Sequence, residues 1–216
     1  VLENNGVYGL TKGQFSASAD VGSTARKGGA VNQQPPIDPV LTAINFGCTF
    51  VARGFSGDKQ NLVPLLKAAI RHPGFALLDV LSPCVTFNDH EGSTKSYAYT
   101  RESERTTVYA DFIPSREPIE TDRVQDVTTI TLHDGSRIVL RKVDNDYNPL
   151  DAGAATAYIR DHQDEGEIVT GLLYINEEAQ DLHAMNNTSN TPLSTLELSK
   201  LIPGAAKLAA LQKAWR

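Results

Sequence analysis

Residues 49–81 constrain the fold more than any other stretch of the sequence. Thr49–Ala52 is a short apolar run. Asp58–Arg71 follows, with Leu62, Leu65, Leu66, Ala69 and Ile70 at roughly helical spacing, and His72-Pro73-Gly74 stops it. Phe75–Leu81 is then apolar throughout except for Asp79, as suits a strand buried on both faces. Strand, helix, strand in succession predicts an α/β fold with a parallel sheet flanked by helices. Ligands of such sheets gather beyond the carboxyl ends of the strands. Two segments therefore lie where a site is expected: Asn4–Gln14, after the apolar Val1-Leu2, and Ser82-Pro83-Cys84, after Leu81.

The first of these reads Asn4-Asn5-Gly6-Val7-Tyr8-Gly9-Leu10-Thr11-Lys12-Gly13-Gln14. Gly6 and Gly9 allow a sharp turn and a close approach of backbone to ligand, because they lack Cβ. An Asn carboxamide oxygen and a backbone carbonyl two residues on are hard oxygen ligands of the kind Mg²⁺ prefers. The same letters also describe an ordinary Asn-Gly turn. Lys12, flanked by glycine, is by itself a solvated charge, and Tyr8 is as well suited to the core as to a site.

Beyond these loops, Ser16–Pro36 has no hydrophobic period and reads as a long ordered loop, with Gly28-Gly29 and Pro35-Pro36 as breakers. Long loops inside compact domains are usually functional. Asp38-Pro39 predicts a helix start, N-cap and first turn, running to about Phe46. Thr94–Arg101 suits a short helix. Val127–Leu132 and Arg137–Val143 suit a hairpin about His133-Asp134-Gly135-Ser136. Ala152–His162 reads as a helix, Ile168–Ile175 as a strand and Pro203–Trp215 as an amphipathic terminal helix. The expected organisation is a core over residues 1–115 and an extension over 116–216, packed on the same domain and reaching a partner subunit.

Composition excludes several classes. A net charge of −6 over 216 residues lacks the basic footprint of a nucleic-acid partner. No apolar run approaches the roughly 20 residues that span a bilayer, so no membrane is expected. Two cysteines, Cys48 and Cys84, do not make a disulfide framework, and without an export pattern the expected compartment is the reducing cytoplasm. No two histidines have the spacing of a helical zinc pair. Gly-x-Ser-x-Gly, P-loop and Gly-x-Gly-x-x-Gly motifs are absent from the sequence.

Four blocks in order carry a resemblance. They are Asn4–Gln14, Gly47-Cys48-Thr49-Phe50-Val51-Ala52-Arg53-Gly54, Leu81-Ser82-Pro83-Cys84-Val85-Thr86-Phe87-Asn88, and Gly166-Glu167-Ile168-Val169-Thr170-Gly171-Leu172-Leu173-Tyr174. Together they resemble the thiamine diphosphate-binding β subunit of 2-oxoacid:ferredoxin oxidoreductases, the 2-oxoglutarate type above all. That family's thiamine motif opens with Gly-Asp-Gly about thirty residues upstream of the Asn pair, so the resemblance implies that the chain corresponds to a carboxyl-terminal portion whose amino-terminal part is missing. By the same resemblance Asn5, through its side-chain oxygen, and Val7, through its carbonyl, are Mg²⁺ ligands. Asn4 braces the turn through backbone groups, and Leu10 packs near the thiazolium ring. Lys12 attracts a substrate carboxylate.

The two cysteines divide, Cys84 by the resemblance and Cys48 by its place between Gly47 and Thr49 at the entry to an apolar strand. Cys84 matches the last ligand of a [4Fe–4S] cluster, whose other three cysteines lie upstream in the family; Cys48 is a small buried hydrophobe. The implied activity is oxidative decarboxylation of a 2-oxoacid to acyl-CoA with ferredoxin reduction, in a heteromer with an α (or fused α/γ) subunit. Two alternatives stay open: a non-oxidative thiamine-dependent 2-oxoacid decarboxylase, which needs no cluster, and a non-catalytic subunit fragment.

Overall fold

The computed structural model describes residues 1–27, 29–113, 127–132, 134–142, 144, 147–202 and 204–215. Gly28, His133, Val143 and Pro203, which the sequence reading used, lie outside them, as does the boundary near residue 115. The chain divides into two compact units, Val1–Ala179 and Gln180–Arg216.

In the first unit the elements are β1 (Leu2–Asn4), β2 (Val7–Tyr8), β3 (Gln14–Phe15), α1 (Pro39–Asn45), β4 (Phe50–Phe55), α2 (Lys59–Arg71) and β5 (Ala76–Leu81). There follow α3 (Tyr97–Ser103), β6 (Glu104–Ile113), β7 (Val127–Thr131), β8 (Arg137–Lys142), α4 (Ala152–Asp164) and β9 (Ile168–Ile175). Seven strands make one sheet in the order β1-β5-β4-β9-β6-β8-β7, and β2 and β3 make a separate small ladder. The predicted parallel core is β1, β5 and β4. Past it the sheet is mixed: β9 runs antiparallel to β4, β6 parallel to β9, and β8 and β7 antiparallel to their neighbours. The hairpin expected between residues 127 and 143 is the β7–β8 pair.

Local chemistry sets the helix bounds. Asp38 Oδ1 accepts from the N–H groups of Val40 and Leu41, and Asp58 Oδ1 from those of Gln60 and Asn61, satisfying orphan donors at both starts. Pro39 occupies the first turn of α1, where its missing N–H costs nothing. The buried stripe of α2 is Asn61, Leu65 and Ala68, spaced i, i+4, i+7, and Ile70 of the expected apolar set stands exposed.

Strand β4 is the pivot. All six of its residues are buried, so the strand expected at Thr49–Ala52 starts at Phe50 and runs on through Arg53, Gly54 and Phe55. Adjacent strand residues face opposite ways. Arg53 meets Asp38 at the start of α1, while a Cβ on Gly54 would come within 2.8 Å of Leu62 in α2. The two helices thus cover opposite faces of the sheet. Phe50, Val51, Leu65, Leu78, Ile159, Leu172 and Leu173 are among the fully buried side chains of the core. Each such residue contributes about 1.5–3 kcal/mol by leaving water.

The second unit consists of α5 (Leu182–Met185), a 3₁₀ turn (Leu193–Thr195), α6 (Leu198–Leu201) and α7 (Gly204–Ala214). Asp181 caps α5 through the Ala184 N–H. None of its described residues is buried.

Candidate functional site

Two loops leave the sheet side by side. In the parallel register Asn4 of β1 lies opposite Leu81 of β5, and the Ser82 N–H donates to the Asn4 carbonyl at 3.1 Å. Asn5–Gln14 and Ser82–Asn88 therefore start from adjacent carboxyl ends, the place where ligands of such sheets sit.

Within the first loop, the Val7 N–H donates to Asn5 Oδ1 at 3.1 Å. Ladder bonds run through the flanking residues, since Ser16 N–H donates to the Gly6 carbonyl and Gly13 N–H to the Tyr8 carbonyl. Val7 pairs with Phe15 at a position where N–H and C=O both point out of the ladder. Its carbonyl therefore faces the same side as the Asn5 carboxamide that its N–H already reaches. A carboxamide oxygen and a main-chain carbonyl converging in this way are neutral, hard donors, and they suit a Mg²⁺ ion that draws its remaining oxygens from a diphosphate and water. The Asn5–Val7 loop fits the group.

Asn4 departs from expectation. Its buried Oδ1 accepts from the Ser18 hydroxyl at 2.7 Å, tying the loop to the next segment through a side chain rather than through backbone groups. Tyr8 is 57% exposed and so is not core. Leu10 is 97% exposed, a large apolar side chain held clear of the protein. Lys12 is exposed too, with a φ of 81°, a left-handed conformation that a non-glycine residue adopts at a cost of about 1–2 kcal/mol. Its N–H donates to the Gly9 carbonyl at 3.1 Å, closing the turn.

The second loop lies along the first. The N–H groups of Phe87 and Asn88 both donate to the Cys84 carbonyl, at 3.2 and 2.7 Å. Three of its side chains abut three glycines of the first loop. A Cβ on Gly9 would stand 3.8 Å from Cys84 Sγ, one on Gly13 about 3.2 Å from the Phe87 ring, and one on Gly6 2.8 Å from Asn88 Nδ2. The half-buried Cys84 thiol thus sits beside the Asn5–Gln14 loop. Cys48 is buried in the core, 3.2 Å from the carbonyls of Phe50 and Phe75, and burial pushes its thiol up. One thiol at the loop is a quarter of a four-cysteine shell, so a cluster needs its other ligands from elsewhere.

Next to the loops is a cleft of about 610 Å³, with Asn4, Asp38, Arg53, Thr94, Lys95 and Tyr99 on its walls. Asn5, Val7, Lys12 and Cys84 are not among its lining residues. On its wall Arg53 donates from Nε to Asp79 and from an NH2 to Asp38, both at 2.8 Å. Burial by itself would raise the Asp38 carboxyl, but the Arg53 charge and the bonds from Leu41 and Val40 hold it below the usual carboxylate range. Asn88, Lys95 and this triad escaped the sequence reading. Only the Pro-Cys-x-x-x-Asn spacing, which lets one turn present Cys84 and Asn88 together, carried a trace of the first.

The geometry so far defines an α/β protein with two loops packed together at adjacent carboxyl ends of its parallel strands. Comparison with known proteins agrees: residues 1–80 match the family described as thiamine pyrophosphate enzyme, C-terminal TPP binding domain. The chain is 42% identical over 120 residues to the 2-oxoacid:ferredoxin oxidoreductase subunit beta of Saccharolobus solfataricus, covering 55% of this chain and 37% of that one. It is 39% identical over 89 residues to the 2-oxoglutarate oxidoreductase subunit KorB of Mycobacterium tuberculosis, covering 41% of this chain and 24% of that one. Its fold is similar to a solved 2-oxoglutarate:ferredoxin oxidoreductase from Magnetococcus marinus with 2-oxoglutarate, coenzyme A and succinyl-CoA bound. That match has a TM-score of 0.61 and 24% identity over 97% of this chain and 56% of that one. Over about half of its length the chain is similar in sequence to 2-oxoacid:ferredoxin oxidoreductase β subunits. It spans about a third of the length of the curated relatives it matches.

Proposed function

We propose that this chain is part of the β subunit of an oxidoreductase that decarboxylates a 2-oxoacid, 2-oxoglutarate before others, passing electrons to ferredoxin and the acyl group to coenzyme A. One observation carries the reading: the Asn5–Val7 oxygens and the Cys84 thiol lie on two loops packed together at adjacent strand ends. A non-oxidative thiamine enzyme needs only the first of these, whereas an oxidoreductase also needs a thiolate beside it.

In this reading Asn5 Oδ1 and the Val7 carbonyl would hold the Mg²⁺ that accompanies thiamine diphosphate. When bound, that cofactor supplies the electron sink for loss of CO₂. The exposed side chain of Leu10 would supply an apolar surface that keeps water from the bound cofactor. Lys12 projects its ammonium toward the substrate's carboxylate, and its strained backbone is what a position kept for its side chain would show. Cys84 gives one thiolate to a [4Fe–4S] cluster. An α (or fused α/γ) subunit completes the site, and the assembly is cytoplasmic; among the described residues no helix is long and apolar enough to cross a membrane.

The test is anaerobic turnover by the native assembly. With 2-oxoglutarate and coenzyme A, ferredoxin reduction should keep step with CO₂ release and succinyl-CoA formation. Release of CO₂ with aldehyde formed and ferredoxin left oxidised would establish the non-oxidative decarboxylase instead.

A further inference from the structure

We propose that Asn88 is a positioning residue that keys the Asn5–Val7 loop to the Cys84 turn, so that the oxygens offered to the metal depend on the turn that carries the thiol. The inference rests on the cofactor reading above, but its geometry belongs to this chain alone. Asn88 is 2% exposed and bonded at every polar atom: Nδ2 donates to the Asn5 carbonyl at 2.7 Å, Oδ1 accepts from Ser93 Oγ at 2.7 Å, the main-chain N–H donates to Cys84 O at 2.7 Å, and the carbonyl accepts from Ser93 Oγ at 2.9 Å. One residue thus grips the main chain of both loops.

The bond to Asn5 is placed where it governs the ligating groups. A peptide unit is planar, so fixing the Asn5 carbonyl fixes the Asn5–Gly6 plane. On one side of that plane is the Asn5 side chain, and on the other is Val7, which the Asn5 carboxamide bonds. Gly6 leaves the space that Asn88 fills. It has a φ of 71°, and a Cβ there would collide with Asn88 Nδ2 at 2.8 Å. Lys95 closes the other side, its Cγ 3.0 Å from the same point and its ammonium 2.9 Å from Asp20. Without the Asn88 donor, a partly buried carbonyl loses its partner and the plane is free to turn.

Asn88→Asp tests this with an isosteric change. It keeps the acceptor for Ser93 but sets an anionic oxygen against the Asn5 carbonyl. Gly6→Ala is the second variant, displacing Asn88 without altering it. In hydrogen–deuterium exchange on the native assembly, peptides over residues 4–10 should exchange about tenfold faster or more in both variants. Peptides over 168–175 should not change. The Mg²⁺ concentration for half-maximal thiamine diphosphate binding should rise by about tenfold, a shift that loss of general stability does not produce. Unchanged exchange at 4–10, or equal acceleration at 168–175, overturns the inference. If the wild-type assembly takes up no thiamine diphosphate while the local exchange signature persists, the brace stands and only the cofactor reading falls.

Discussion

On the β1–β5–β4 side of the sheet, polar groups are buried and loop is locked on loop. On the β9–β6–β8–β7 side Thr107, Ser136 and Thr170 are buried too, but the charged groups stand nearer the surface in a chain of ion pairs. Arg53 is sealed between Asp38 and Asp79, and one oxygen of Asp79 is buried with no hydrogen-bond partner among the described residues. Arg105, by contrast, has a side chain 42% exposed and reaches Asp144 at 2.9 Å, Glu167 at 3.3 Å and the Tyr158 hydroxyl at 3.1 Å. His162 joins that chain through Glu167 at 2.6 Å. Partial burial and the bond to Asp144 push the Tyr158 phenol up to about 12, so it remains a hydroxyl donor at any physiological pH. The family match falls on residues 1–80, the first side. The proposed site, which needs oxygens and a thiol in fixed relation, falls where charge is buried and glycine lets the side chains of one loop pack on the backbone of the other; a surface network tolerates change.

The largest effect that would break this contrast belongs to Cys84. In the assembled enzyme Cys84→Ala should strip or degrade the visible absorption of an iron–sulfur cluster and lower ferredoxin reduction by orders of magnitude, with Mg²⁺-dependent thiamine diphosphate uptake retained. Cys48→Ala, in the core of the same half, should cost only about 1 kcal/mol of stability. Full iron content and undiminished ferredoxin reduction in Cys84→Ala would remove redox chemistry from the parallel edge.

Next comes a matched pair of stability measurements. Arg53→Met leaves the buried Asp79 carboxylate and the half-buried Asp38 carboxylate without their cation and should destabilise by about 3–5 kcal/mol. Arg105→Met should cost about 0–1 kcal/mol, since exposed pairs are screened. Denaturant titrations giving equal losses would erase the distinction between the halves. The pH profile sharpens it further. Asp38 has a folded-state pKa below that of the unfolded chain, so its contribution is present above the unfolded value of about 3.9 and is lost as pH falls through the folded one. Arg53→Met should flatten that acid limb.

The same division marks what the sequence disclosed. From residue 38 to 81 the strands and helices were legible because apolar runs and the Asp caps act locally, and both loops could be placed because they follow strands; the short β2–β3 ladder inside the first loop was not read. Strand β6 was not recognised, although Thr106, Thr107, Val108, Tyr109 and Phe112 have the right propensities; with Glu104, Arg105 and Asp111 interrupting them, no clean alternation survives. Asn61 lies in the buried stripe of α2 against every expectation for a carboxamide, and nothing local foretells a buried polar group. The packing of Asn88 on Gly6 joins residues more than eighty positions apart, which only the parallel register of β1 and β5 brings together.

A third experiment asks whether Lys12 is kept for its charge. Lys12→Ala in the assembled enzyme should raise KM for 2-oxoglutarate roughly 10- to 150-fold, the loss of a charge-assisted bond worth about 1.5–3 kcal/mol, and leave thiamine diphosphate binding nearly intact. Lys12→Gly separates charge from backbone, because glycine accepts a φ of 81° without strain. It should show the same KM defect with equal or better stability. Unchanged kinetics in both would return Lys12 to the role of a solvated charge.

The smallest expected effect lies on the surface side, at Glu104. Partial burial raises its carboxyl; the bond from Thr170 works against this, and the nearby charge of Asp58 adds to it. A carboxyl raised on folding binds more protons in the native than in the unfolded state between the two pKa values. Stability therefore falls as pH rises through that window and gains nothing from the charge at neutral pH. Glu104→Gln removes the penalty and keeps an oxygen to accept from Thr170. Because the group is partly solvated, the gain at pH 7 should be modest, about 1–2 °C in Tm, and should vanish as pH drops below the unfolded value of about 4.3. Thermal scans at pH 7 and pH 4 decide the point. A gain of several degrees would show that Glu104 is desolvated as deeply as the buried charges across the sheet, so that the contrast between the halves does not extend to its carboxylates, and a gain that persists at pH 4 would show that its source is not the charge.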